Sequence, residues 1–167
     1  IVEYAGNNQA LIEKQVAHLC AELDQKIAEG KDHIIGYQVF DHLPSIERIY
    51  AMRKKAVGLL GNAKGAAKPI PFVEDTCVPP ENLADYITEF RALLDSHNLQ
   101  YGMFGHVDAG VLHVRPALDL CDSEQVKLFK QISDEVAELT CKYGGLIWGE
   151  HGKGMRSQYG EKFFTPE

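Results

Sequence analysis

Two histidines within one short segment are placed to bind a metal ion together. Ala109 and Gly110 read as the two residues of a hairpin turn, and this turn pairs His106 with His113 across two short strands. Directly opposite side chains lie on one face about 5 Å apart, and imidazole nitrogens at that separation can bind one divalent ion at roughly 2.0–2.1 Å. Strand alternation adds Arg115 to this face. The opposite face then carries three core residues: Val107, Leu112 and Val114.

A second reactive segment places a carboxylate beside an imidazole among glycines. Glu150 and His151 are flanked by Gly149, Gly152 and Gly154, and glycine permits tight turns and close approach of a ligand to the backbone. The segment is not a dinucleotide fingerprint, because a serine stands where the third glycine belongs. HExxH, GxSxG and Walker sequences are absent, so the common hydrolase motifs are missing.

Positive charge is concentrated between residues 48 and 73, which contain six basic residues and no acidic one. These are Arg48, Arg53, Lys54, Lys55, Lys64 and Lys68. In a chain of net charge −7 they form a local positive region suited to a small anion.

Each of these features has a plainer alternative that the residues alone leave open. The histidine pair can be two polar residues on a solvent-facing strand. Residues 149–156 can be a surface loop that contains charges, and residues 58–68 can be a solvated loop between a helix and a strand.

The elements that must position these residues follow from hydrophobic periodicity. Apolar residues recur at helical spacing in four segments, which are residues 11–27, 46–57, 83–94 and 126–139. Strands are predicted at residues 1–4, 33–40, 102–107, 111–115 and 146–148, with an extended segment at 69–73. The hairpin among interleaved helices predicts an α+β fold, in which helices pack on an antiparallel-rich sheet.

Length and composition bound the class of protein. We expect one domain over residues 1–167, and the abrupt ends indicate a fragment of a longer chain. The longest stretch without charged residues has 12 residues, too few to span a bilayer, and the acidic balance argues against nucleic acid as a partner. Four cysteines without CxxC spacing indicate a reduced, cytoplasmic protein.

Together these segments resemble the C-terminal domain of FAD-linked oxidases of the vanillyl-alcohol-oxidase type. The family pattern Gly-His-x-Gly-Asp-Gly-Asn-Leu-His is matched at Gly105-His106 and at Leu112-His113, and Glu-His-Gly-x-Gly is matched throughout residues 150–154. Asp108-Ala109 and Val111 depart from the first pattern without altering a ligand position. Further stretches that look like the family are Glu74-Asp75, Val78-Pro79 and the helix containing Arg53.

The resemblance implies roles for the reactive residues. His106, His113 and Glu150 would be the ligands of zinc or a similar divalent ion, and His151 the catalytic base. The candidate substrate-binding residues are the cations Arg53, Arg115, Lys64 and Lys68. They outnumber what a monocarboxylate needs, which favours D-2-hydroxyglutarate over D-lactate or glycolate, the alternatives within the family.

The family's chemistry is oxidation of a small anionic 2-hydroxy acid. The substrate can chelate a divalent ion through its hydroxyl and carboxylate, which lowers the pKa of the hydroxyl so that a histidine can take its proton. Hydride then passes from C2 to the flavin. FAD would be held mainly by an FAD-binding domain outside this chain, so the isolated chain is expected to be inactive.

The divergent turn resembles most a long bacterial subgroup that acts on D-2-hydroxyglutarate and carries a 4Fe–4S region after the oxidase part. Peripheral association with the inner membrane through electron transfer stays open, as does the electron acceptor. Two other classes also stay open: a flavin-independent metal-dependent hydrolase or lyase, and a non-catalytic binding or assembly domain in which the histidines are structural.

Overall fold

A computed structural model describes residues 1–60, 64–152, 154 and 156–164 of the chain. Lys153, which completes the glycine-rich motif, lies outside the described residues. The chain divides into two compact units, Ile1–Ala51 and Met52–Glu167. The single domain over residues 1–167 stays a prediction.

The first unit is mainly helical. Helix α1 spans Gln9–Ala28, and the Asn8 side chain caps it by accepting a hydrogen bond from the backbone N–H of Leu11 at 3.1 Å. Helix α2 spans Leu43–Leu60, beginning in the first unit and ending in the second.

The strands predicted at residues 1–4 and 33–40 are wrong, because both segments are irregular in the structure. Ile35 is fully exposed, and the Tyr37 hydroxyl donates to a carboxylate oxygen of Asp24 at 2.9 Å instead of joining a sheet. β-Branched and aromatic residues favour a strand only where a neighbouring strand and a core receive them. The described part of the first unit contains no strand that could pair with either segment.

The second unit is an α+β structure, which confirms the predicted fold class. Its described residues form the strands β1 (Lys68–Pro69), β2 (Thr76–Cys77), β3 (Tyr101–His106) and β4 (Val111–Leu118). β4 is the common partner, since the other three strands all pair with it in antiparallel orientation. Besides the end of α2, the described residues of this unit form the helices α3 (Leu83–Ser96), α4 (Ser123–Lys142) and the short α5 (Gly160–Phe163).

The core of this unit lies between one face of the sheet and the apolar faces of α3 and α4. Leu112 and Val114 of β4 are buried in the same cluster as Phe90 of α3 and Ile132 of α4. Their strand neighbours on the other face are therefore turned away from the helices. That opposite face carries His113 and Arg115, as the alternation of the sequence predicts.

The predicted hairpin is present, but its register is shifted by two residues. His113 pairs with Phe104, whereas His106 pairs with Val111. The loop contains four residues, Val107–Gly110, rather than two, and Val107 is 72% exposed instead of lying in the core. A shift of two residues preserves the side-chain alternation, so His106 and His113 still share a face.

Gly110 explains the longer loop. Its φ of +66° is in the left-handed region, and a Cβ atom there would lie 1.9 Å from the carbonyl oxygen of Val78. Val78 directly follows β2, and its own backbone N–H donates to the Gly110 carbonyl at 3.0 Å. The loop therefore closes against β2, a contact that local sequence does not reveal.

Candidate metal and substrate site

Three imidazoles surround one carboxylate oxygen at the end of the hairpin. The Oε1 atom of Glu150 lies 2.9 Å from Nε2 of His113, 3.4 Å from Nε2 of His106 and 3.5 Å from Nε2 of His151. The structure thus brings together all four residues that the sequence predicts as metal ligands and base.

These four side chains are delivered by three different parts of the second unit. His113 comes from the middle of β4 and is 3% exposed, while His106 is the last residue of β3. Glu150 and His151 follow a segment that hydrogen-bonds to β2 at Leu146, after α4 has ended. The rigid antiparallel pair therefore fixes two imidazoles, and the segment after α4 supplies the other two groups.

The three carboxylate–imidazole distances are of the size found between two ligands of one tetrahedral ion. Ligands about 2.05 Å from a tetrahedral zinc ion lie about 3.3 Å from one another, and the three distances to Glu150 Oε1 bracket that value. Two or three imidazoles with one carboxylate are also a donor set that zinc and similar divalent ions accept. The residues present therefore fit a metal of this type.

The electrostatics of His113 suit a ligand. Burial lowers the pKa of His113, although the carboxylates of Glu74 and Glu150 act in the opposite direction. A lowered pKa keeps the imidazole neutral, and the neutral ring has the lone pair that binds a metal. Its Nδ1 atom is buried without a hydrogen-bond partner among the described residues and lies 3.6 Å from Glu74 Oε1. Metal-bound histidines commonly donate this second N–H to a carboxylate.

Asp75 is a site residue that sequence reasoning did not assign. One atom each from Asp75, His113, Glu150 and His151 lie within 4.8 Å of one another, which makes them a group able to hold a metal. Asp75 is 2% exposed, and its two carboxylate oxygens accept hydrogen bonds from the backbone N–H groups of Glu150 and His151 at 2.8 and 3.1 Å. The sequence Glu74-Asp75 resembles the family, but that resemblance does not reveal the contact of Asp75 with residues 75 and 76 positions later.

Arg53 lies beside the histidines. Its Nη2 atom is 3.3 Å from Nδ1 of His106, and a guanidinium can only donate in such a contact. The neutral His106 ring then carries its proton on Nε2, toward Glu150. Ligation of a metal by Nε2 requires the other tautomer, with the proton on Nδ1, so metal binding by His106 and this Arg53 contact exclude each other.

Arg115 lies on the same sheet face but has a partner already. Its Nε and Nη2 atoms donate to the two carboxylate oxygens of Glu74 at 2.6 and 3.1 Å, and the hydrogen bonds to Glu74 raise the pKa of Arg115. A guanidinium has five N–H groups, so three take no part in the contact with Glu74.

The two lysines are less directly connected with the histidines. Lys68 of β1 pairs with Leu118, five residues beyond His113, which corresponds to about 17 Å along the strand. Lys64 is exposed. Substrate-binding roles for all four cations stay predictions.

The whole chain, residues 1–167, matches the family model of FAD linked oxidases, C-terminal domain. The chain belongs to this family. It is 85% identical over its full length to a D-2-hydroxyglutarate dehydrogenase of Haemophilus influenzae and 71% identical to one of Escherichia coli. A more distant relative is the glycolate oxidase subunit GlcD of Bacillus subtilis, which is 29% identical over 59% of this chain and covers 21% of that protein. The chain spans 16% of the length of the first two relatives.

Proposed function

We propose that this chain is the substrate- and metal-binding domain of a longer FAD-dependent dehydrogenase that oxidises D-2-hydroxyglutarate to 2-oxoglutarate. The observation that carries the proposal is the convergence of three imidazoles on the Glu150 carboxylate beside the cation Arg53. The family and the names of the relatives at 85% and 71% identity support this choice of reaction and substrate.

His106, His113 and Glu150 would hold zinc or a similar divalent ion. When bound, the metal lowers the pKa of the substrate hydroxyl and FAD accepts the hydride from C2. The role of the chain is to fix the ligand atoms before the substrate arrives. The two-strand scaffold of β3 and β4 restricts both histidines, which reduces the ordering that binding must otherwise impose.

His151 would take the proton of the substrate hydroxyl. It is half-exposed and can therefore reach a bound substrate, while its Nε2 atom points toward the same carboxylate oxygen as the ligand nitrogens. Imidazole is the side chain that most often acts as a general base. The hydroxyl proton would pass to His151 and FAD would supply the acceptor for the hydride, so that conversion of the alcohol to a ketone balances in atoms and charge.

Arg53 would bind a substrate carboxylate. Its contact with His106 ends when that histidine binds a metal through Nε2, which frees the guanidinium next to the occupied site. Arg115 could contribute its remaining N–H groups, but Glu74 already neutralises its charge. Arg53 is therefore the stronger candidate for a second carboxylate on the substrate, which D-2-hydroxyglutarate has and D-lactate lacks.

Several further features belong to the same proposal. FAD would be held mainly by another domain of the parent protein, and 4Fe–4S clusters would lie elsewhere in it. We also propose a cytoplasmic location, with peripheral contact with the inner membrane through the electron acceptor. Among the described residues, no helix combines the length and apolar character needed to cross a membrane.

The proposal is tested on the full-length protein by stopped-flow flavin reduction without oxygen. D-2-hydroxyglutarate should bleach the flavin, the L enantiomer should not, and D-lactate and glycolate should do so more slowly. Removal of the metal with a chelator should abolish the reaction, and added zinc should restore it. Flavin reduction fastest with D-lactate would reassign the substrate, and metal-dependent turnover of a substrate without flavin reduction would favour the hydrolase or lyase class.

A further inference from the structure

Asp75 connects three parts of the site that are distant in sequence. Its backbone N–H donates to the carbonyl of Leu112 in β4 at 2.9 Å, and its own carbonyl accepts from the N–H of Gly149 at 2.8 Å. Its carboxylate oxygens accept from the next two backbone N–H groups, those of Glu150 and His151. One residue therefore binds three consecutive amides of the segment that delivers the carboxylate and the base, and ties that segment to the strand of His113.

The conformation of Asp75 is unusual for a residue with a side chain. Its φ is +69°, in the left-handed region, where aspartate and asparagine are tolerated better than most residues but still uncommon. Strained backbone persists where surrounding contacts enforce it, and it is concentrated at functional sites. Here the strain turns the carboxylate of a residue just before β2 toward Glu150 and His151.

The negative charge of the buried Asp75 carboxylate is also compensated. A carboxylate that is only 2% exposed must be compensated by hydrogen bonds or by opposite charge. Besides the two amides, the half-buried guanidinium of Arg156 interacts electrostatically with Asp75, and its Nη1 donates to the carbonyl of the preceding Glu74 at 2.5 Å. The buried carboxylate is thus stabilised by two backbone amides and by the guanidinium of Arg156.

We propose that Asp75 is the positioning residue of this site, which sets the backbone of Glu150 and the orientation of the His151 ring, and that it is not itself a metal ligand. Both of its oxygens are already engaged by amides that aim the segment, and Oδ1 lies 3.6 Å from Nδ1 of His151. This inference rests on the proposed function.

Gly149 shows how closely the segment approaches Asp75. A Cβ atom on Gly149 would lie 3.1 Å from Asp75 Oδ1 and 3.2 Å from its carbonyl oxygen. An alanine there would push the two segments apart by a few tenths of an ångström without changing any charge. Gly149→Ala is therefore a second, independent way to disturb the positioning.

The test uses the full-length protein with Asp75→Asn, Gly149→Ala and, as the matched control, Asp108→Asn. Asparagine keeps the size of aspartate and tolerates positive φ, but its NH₂ group would oppose one of the two amides. Asp108 is exposed on the hairpin loop, so its variant removes the same charge away from these contacts. The probe is Zn²⁺, and its affinity is measured by competition with a chromogenic chelator.

Asp75→Asn should weaken Zn²⁺ binding about 10- to 100-fold, the usual effect of losing a group that orients metal ligands. At saturating Zn²⁺ it should still lower kcat, with a smaller change in KM, because the base is misplaced more than the substrate. Gly149→Ala should change both quantities in the same direction, and Asp108→Asn should change neither. X-ray absorption at the zinc edge should show the same ligand set in Asp75→Asn and the parent protein.

The outcomes separate this inference from the proposed function. The positioning role would be overturned if Asp75→Asn and Gly149→Ala both kept the parental Zn²⁺ affinity and kcat. If X-ray absorption showed one carboxylate ligand fewer in Asp75→Asn than in the parent protein, Asp75 would be a metal ligand instead. If Asp75→Asn does not fold and bind FAD, the Zn²⁺ affinity and kcat of Gly149→Ala alone test the positioning role. Failure of the parent protein to bind Zn²⁺ or to oxidise D-2-hydroxyglutarate would instead contradict the proposed function.

Discussion

Arg115 and Glu74 form a bidentate ion pair on the sheet face that carries the histidines. The Nε and Nη2 atoms of Arg115 donate to the two oxygens of Glu74 at 2.6 and 3.1 Å, and both side chains are largely shielded from water. This geometry is the strong, directional form of the arginine–carboxylate contact. Glu74 Oε1 also lies 3.6 Å from Nδ1 of His113, so the same carboxylate is close to a candidate metal ligand without forming a hydrogen bond to it.

The two arginines should therefore differ in their effect on substrate choice. Arg53→Ala should lower kcat/KM for D-2-hydroxyglutarate roughly 2- to 5-fold, equivalent to about 0.5–1 kcal/mol for an exposed arginine–carboxylate contact, and should largely spare D-lactate. Arg115→Ala should lower kcat/KM for both substrates alike, because it leaves Glu74 without its partner. Steady-state kinetics of the full-length enzyme on both substrates measures this, with exposed Arg48→Ala of the same helix as Arg53 as the control. A selective loss in Arg115→Ala would return the second carboxylate to that residue.

Replacement of His113 should remove the metal. His113→Ala deletes a buried, proposed ligand whose neutral state is favoured by its lowered pKa, and we expect the full-length variant to contain little of the zinc proposed for the parent protein. Elemental analysis of the purified protein measures the loss. His18→Ala, which changes an exposed histidine of α1, should keep about one equivalent. Equal metal content in the two variants would contradict the assignment of His113 as a metal ligand.

Replacement of His151 should separate binding from chemistry. His151→Asn should keep metal and FAD but reduce the single-turnover rate of flavin reduction by at least about 10²-fold, the usual contribution of a general base. Glu150→Gln, in contrast, should also reduce metal content. Flavin reduction at the parental rate in His151→Asn would show that His151 is not the general base.

The hairpin loop should depend on glycine at position 110. Gly110→Ala places a side chain in the left-handed region and close to the Val78 carbonyl oxygen, so the free energy of unfolding should fall by at least about 1–3 kcal/mol. Gly36→Ala is the control, because nothing lies within 4 Å of a Cβ atom there. Urea unfolding of the full-length proteins provides the comparison, and equal midpoints for the two variants would contradict the predicted contact.

The cap of α4 should contribute stability in a pH-dependent way. Asp122 accepts a hydrogen bond from the backbone N–H of Glu124, which lowers the pKa of Asp122 in the folded protein. A carboxyl with a lowered folded pKa stabilises the protein above its unfolded pKa, and this stabilisation is lost as pH falls through the folded value. Asp122→Ala should therefore lower Tm at pH 7, and its difference from the parent protein should shrink below about pH 4. A difference in Tm that is constant from pH 7 to pH 3 would contradict this role.

Local sequence was sufficient where one element decides the outcome. The periodicity of residues 126–139 predicted α4, and the alternation around His113 placed the histidines and Arg115 on one face, away from Leu112 and Val114. That assignment is insensitive to an error in the loop, because a register shift of two residues leaves every side chain on its own face. The reactive residues were therefore recognisable from type, spacing and resemblance alone.

Tertiary structure decided everything that depends on a distant partner. Residues 33–40 have the composition of a strand, yet strand pairing needs a neighbour that local sequence does not contain. The hairpin loop has four residues because Gly110 closes against Val78, and Arg115 is occupied because the fold brings Glu74 to it. Asp75 meets Glu150 across 75 positions of sequence. Spacing along the chain predicts which side chains can share a face, but only the packing of separate segments determines which charges meet and which remain for a substrate.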